Sequence, residues 1–101
     1  MWVIAMFDLP VDTKKARRAY TDFRKGLLKD GFTKMQYSVY ARHCPSEENA
    51  QVHVSRVERM VPDDGEVRIV TLTDKQFERQ HIFWGKMRKS TPPPPAQLEL
   101  F

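Results

Sequence analysis

Residues 2–7, Trp-Val-Ile-Ala-Met-Phe, are an unbroken apolar run that stops at a carboxylate, Asp8, followed by Leu9 and Pro10. A run of this length bounded by a turn signal reads as a buried strand. At 101 residues the chain has room for one two-layer core and not for two, so a single domain must be built around that strand. Asp8 at its end admits two readings. Asp starts many turns by accepting their backbone N–H groups, and a strand end also holds a carboxylate rigidly enough for metal binding or catalysis.

The next segment, DTKKARRAYTDFRKGLLKDG, reads as a helix with Thr13 as its N-cap and Gly31 as the residue that ends it. Ala16, Ala19, Tyr20, Phe23 and Leu27 recur at three- and four-residue steps and form its core stripe. At about 100° per residue, Lys14, Arg17, Arg18, Arg24, Lys25 and Lys29 occupy the other half of the wheel. Asp22 is the only acid between Lys14 and Lys29. Solvated helix faces normally mix signs, so a one-signed face favours contact with an anionic partner.

Beyond it, FTKMQYSVYARH is rich in aromatic and β-branched residues and suits two short strands or one bent one. Ser46 caps a second helix, Glu47 and Glu48 favour its N-terminal dipole, and Pro62 follows its end. Ala50, Val54, Val57 and Val61 are its expected buried stripe. EVRIVTLT is a central-strand candidate after the Asp63-Asp64-Gly65 turn, and HIFWG is expected to be a short last strand after a polar connection. The order predicts an α+β, ferredoxin-like βαββαβ sandwich with a short extra C-terminal strand. It divides the chain into a domain over residues 1–85 and a basic, Pro-rich tail over residues 86–101.

Charge is distributed unevenly. Residues 1–45 carry nine Lys and Arg against four Asp and Glu, and the remainder carries eight against nine. The positive excess therefore lies wholly in the first half, where a phosphate backbone is the commonest acidic partner. No apolar run approaches the roughly 20 residues of a membrane span, and the chain reads as cytoplasmic with no membrane partner. Cys44 is the single cysteine, and His43, His53 and His81 show no ligand spacing, which argues against a zinc site.

The strand ending in FDLP, the basic helix with ARRAYTDF and the motif QYSVY at residues 36–40 occur in one order in a short chain. In that combination the sequence resembles the small CRISPR-associated adaptation protein family, the smaller partner of the CRISPR integrase. Phe7 stands where that family often has a tyrosine. The resemblance implies a symmetric homodimer in which Asp8 faces its own copy and the pair holds Mg²⁺ or Mn²⁺. Oxygen ligands suit either ion, and a cation would relieve the repulsion between two carboxylates. It further implies Ser38 as a neighbour of that site. Lys14, Arg17, Arg18 and Arg42 are the expected phosphate contacts.

The same resemblance implies a dimer that bridges two integrase dimers and binds duplex prespacer DNA during spacer acquisition. Members are also labelled endonucleases acting on RNA or DNA. One carboxylate per subunit is sparse for a two-metal phosphodiesterase, so the scaffold role is placed ahead of the enzyme. A toxin-like endoribonuclease of related fold and a plain RNA-binding ferredoxin-like module are the alternatives. The final residues, Gln97-Leu98-Glu99-Leu100-Phe101, follow four consecutive prolines. Gln97, Leu98, Leu100 and Phe101 are expected to dock on the integrase or the dimer mate. The pentapeptide also resembles the short peptides by which bacterial proteins bind the sliding clamp.

Overall fold

The apolar run forms β1 (Trp2–Asp8), and both of its edges are occupied. It pairs antiparallel with β3 (Val39–His43) on one side and β4 (Glu66–Leu72) on the other, with β2 (Thr33–Gln36) beyond β3. Helices α1 (Lys14–Lys29) and α2 (Glu47–Met60) join these strands, and a short α3 (Asp74–Glu78) follows β4. This computed structural model describes residues 1–86. The sheet order β2-β3-β1-β4 is that of the ferredoxin-like sandwich expected from the element order.

Strand alternation explains why β1 is apolar throughout. Val3, Ala5 and Phe7 face the helices and pack with Phe23, Leu27, Tyr40 and Val57. Trp2 and Ile4 face the other way and pack with Ala41 and Phe77, flanked by Met6, Met35, Val39 and Leu72. Burying each large side chain is worth about 1.5–3 kcal/mol. Phe7 sits edge-on to Phe23 with ring centroids 5.0 Å apart and stacks on Tyr40 at 5.6 Å. Cys44 is fully buried in the same layer and has no disulfide partner.

The caps form where the sequence places them. The Thr13 hydroxyl accepts from the Ala16 N–H at 3.0 Å, and the Ser46 hydroxyl accepts from the Asn49 N–H at 3.1 Å. Helix α1 closes at Asp30, and Gly31 follows with φ of 89°, a left-handed conformation that glycine adopts without strain.

Three expectations require correction. The buried stripe of α2 is Ala50, His53 and Val57, with Val54 half-buried, whereas Val61 is the extended C-cap and is exposed. Pro62 disfavours helical geometry at the residue before it, which removes Val61 from the stripe. The connection after β4 is helical: a capping box between Thr73 and Gln76 starts α3, and Phe77 stacks on Trp2 at 4.0 Å. The segment HIFWG is not a strand in the single chain. Ile82, Phe83 and Trp84 are exposed, Phe83 at 88%, and they do not pair with the open outer edge of β4. The tail peptide Gln97, Leu98, Leu100 and Phe101 lies outside the described residues.

Gly65, with φ of 97°, immediately precedes β4. A Cβ there would lie 2.8 Å from the Asp8 carbonyl oxygen and 2.7 Å from Leu9 Cδ2. Gly65→Ala is therefore expected to cost about 1–3 kcal/mol of stability, read as a lower urea midpoint with an unchanged m-value.

Candidate functional site

Asp8 is the last residue of β1, exposed, on the sheet face away from α1 and α2. Among the described residues its carboxylate accepts no hydrogen bond, so closing the local turn is not its role. The backbone around it is nonetheless fixed. The Phe7 N–H donates to the Ser38 carbonyl at 3.1 Å, and Ser38, at φ of 61°, occupies the left-handed region in the turn between β2 and β3. Ser38 thus lies against the strand end that carries Asp8, through its backbone carbonyl and not its hydroxyl.

Glu66 is the cross-strand partner of Asp8 in the β1–β4 register. Two acids directly opposite one another repel. Arg68 relieves this by donating from Nε to Glu66 at 2.9 Å, and that hydrogen bond together with the guanidinium charge holds the Glu66 carboxyl below the usual range. The donor set at this corner consists of hard carboxylate oxygens, which fit Mg²⁺ or Mn²⁺. Among the described residues no group of three or more His, Cys, Asp or Glu converges as a metal cage.

Lys14, Arg17 and Arg18 are exposed at the start of α1, six to ten residues beyond Asp8 along the chain. Their placement opposes the helix dipole, which favours acids at this end. The first turn of α1 contains no acid, whereas α2 begins with Glu47 and Glu48. Arg17 is oriented by its Nη1–H donating to the Val11 carbonyl at 3.2 Å. Arg42 does not join this group. It lies half-buried on β3, with its guanidinium packed against Gly31, where a Cβ would be 2.6 Å from Nη1.

A second polar cluster was not readable from spacing. Asp30, the C-cap of α1, accepts from His53 Nδ1 at 2.7 Å and from Arg56 Nη1 at 2.9 Å. Burial of Asp30 raises its pKa, but the hydrogen bonds and charges of His53 and Arg56 outweigh this and hold the carboxyl below its ordinary value. His53 and Arg56 are three residues apart, which sets them on one side of α2; nothing local in the sequence identified Asp30 as their partner.

The family model described as CRISPR associated protein Cas2 matches residues 1–80. The chain belongs to the Cas2 family. A relative named CRISPR-associated endoribonuclease Cas2 from Parvibaculum lavamentivorans is 63% identical over 101 residues, covering 100% of both chains. A relative of the same name from Flavobacterium psychrophilum is 45% identical over 101 residues, covering 100% of this chain and 88% of its own. The crystal structure of Streptococcus pyogenes Cas2 at pH 6.5 superposes with a TM-score of 0.61 at 19% identity, over 83% of this chain and 100% of that one. That last likeness is one of fold. Membership in the Cas2 family agrees with the resemblance carried by FDLP, ARRAYTDF and QYSVY. Among the described residues no helix is long and apolar enough to cross a membrane.

Because the Asp30 pKa is lowered on folding, its contribution to stability is present above the ordinary Asp value and is lost as pH falls through the lowered one. Asp30→Asn is expected to destabilise the chain by about 2 kcal/mol at neutral pH, most of it from the bond to buried His53. In denaturant titrations at several pH values, the gap from wild type should close on acidification below the ordinary Asp range.

Proposed function

We propose that this chain acts in CRISPR spacer acquisition as a symmetric homodimer that bridges two integrase dimers and binds duplex prespacer DNA. Membership in the Cas2 family carries this reading. The exposed, one-signed start of α1 supports the nucleic-acid contact, with Lys14, Arg17 and Arg18 as phosphate-binding groups. For the dimer, support comes from apolar surface that a single chain leaves open. Val70 is exposed on the outer strand β4, Met6, Met35, Val39 and Leu72 are only partly covered, and Ile82, Phe83 and Trp84 are exposed and unpaired with any strand. A second copy offers a sheet edge, and strand addition would cover these residues.

A second reading, metal-dependent phosphodiester cleavage, is favoured by the endoribonuclease names of the relatives and by the exposed carboxylate of Asp8. In the proposed dimer, Asp8 from each copy would hold Mg²⁺ or Mn²⁺. The bound ion would supply Lewis acidity toward a phosphoryl oxygen and a more acidic water. The chain's own contribution is to hold Asp8 in place through the Phe7–Ser38 hydrogen bond and to seat the phosphate backbone on the cationic end of α1. The peptide Gln97–Phe101 is proposed as a docking element for the integrase or the dimer mate, with the sliding clamp as the alternative target.

The DNA assignment is tested by Arg17→Ala with Arg18→Ala. Affinity for a duplex should fall, and the slope of log affinity against log salt should flatten by about 0.9 for each lost phosphate contact. An unchanged slope would remove α1 from the interface.

Asp8→Asn separates the two roles, since it removes the charge and keeps the shape. Spacer acquisition in cells should persist while divalent-dependent cleavage by the purified dimer disappears. Acquisition lost with the dimer and integrase complex intact would reverse the ranking of scaffold over enzyme.

A further inference from the structure

Gly26 on α1 faces Met60 on α2, and a Cβ on Gly26 would come within 2.5 Å of the Met60 sulfur. The missing side chain lets the C-terminal halves of the two helices approach. Their approach forms a groove of about 450 Å³ lined by Gly26, Lys29, Asp30, Arg56, Arg59 and Met60. Three cations from two different helices therefore surround one carboxylate. That carboxylate is already satisfied, because Asp30 is bonded to His53 and Arg56 and is only 10% exposed.

Arg56 is held in orientation by Asp30 through one nitrogen and remains half exposed, so much of its guanidinium is free to bind outward. Lys29 and Arg59 are exposed, and among the described residues neither forms an ion pair. A cation in the last turn of a helix is favourable by itself, which accounts for Lys29 and Arg59 individually. It does not account for their convergence with a buttressed arginine over a cleft. The groove carries a positive excess that an anionic ligand would complement.

The groove is also continuous with a ridge on α1. At about 100° per residue, Lys14, Arg18, Lys25 and Lys29 fall within an arc of about 60°. They run along the helix for roughly 23 Å at about 1.5 Å per residue. DNA presents one phosphate per roughly 3.4 Å of axis on each strand, so one strand laid on the ridge meets several cations before reaching the groove. We infer that the groove between α1 and α2 is a second phosphodiester-binding site, in which Lys29, Arg56 and Arg59 extend the nucleic-acid contact beyond the start of α1. The inference rests on the proposal that the protein binds nucleic acid, and it adds a site remote from Asp8.

The test uses the full chain with Lys29→Gln and Arg59→Gln together, leaving the Asp30 network intact. Anisotropy titrations of a labelled duplex DNA and a labelled single-stranded RNA across a salt series should show a slope reduced by about 1.4–1.8, two contacts at about 0.7–0.9 each. Arg59→Gln alone, which leaves α1 unaltered, should give about half that change, and Lys75→Gln on α3 should give none. If the groove variants keep the wild-type slope while the Arg17, Arg18 variant flattens it, the groove assignment fails and the DNA reading stands. If wild type shows no salt-dependent binding to either probe, both fail. A polyglutamate peptide that binds wild type but not the groove variant, with the nucleic-acid slope unchanged, would assign the groove to an acidic protein segment and overturn the inference.

Discussion

The pairing register of β1 with β3 and β4 is the constraint on which the remaining structure depends. Because side chains alternate, Val3, Ala5 and Phe7 feed one layer while Trp2 and Ile4 feed the other. A slip by one residue would exchange the two sets and set Asp8 beneath the helices, where an unpaired carboxylate is costly. The same register aligns Asp8 with Glu66 and brings the Ser38 turn against Phe7. Folding and site construction are one event at this end of the sheet.

Much of this was readable in the sequence wherever the signal is local. Thr13, Gly31, Ser46 and Pro62 announce helix ends through their own backbone chemistry, and the stripe of Phe23 and Leu27 follows from helical period. The FDLP, ARRAYTDF and QYSVY motifs carried the family. What escaped depends on partners distant in the chain. Asp30 meets His53 and Arg56 only because α1 and α2 pack side by side. Arg42 resembled any other arginine of a basic segment until the fold turned it toward Gly31. HIFWG has the composition of a strand, but it does not pair with the open edge of β4, and composition carries no information about pairing.

The two helices divide the electrostatic labour unequally. Helix α2 begins and ends with charges that suit its dipole, Glu47 and Glu48 at its N-terminus and Arg59 in its last turn, where Arg59 also lines the groove. Helix α1 opens on Lys14 and Lys15, against its dipole, and relies on the Thr13 cap and the burial of Phe23 and Leu27 to form. Such a helix sacrifices some local stability for a strong external field. That field falls off within about 10 Å at moderate salt, so it acts on a polyanion at contact and not at a distance.

The buried thiol of Cys44 has a kinetic consequence. Burial pushes its pKa up, and full enclosure keeps reagents from it, so two independent factors suppress the thiolate needed for reaction. Its N–H is bonded to the Met1 carbonyl at 2.8 Å, which ties it to the strand that anchors the sheet. A group so placed reacts only during excursions that open the central layer. The modification rate of this one sulfur is therefore an internal clock for opening of the core where β3 passes into α2.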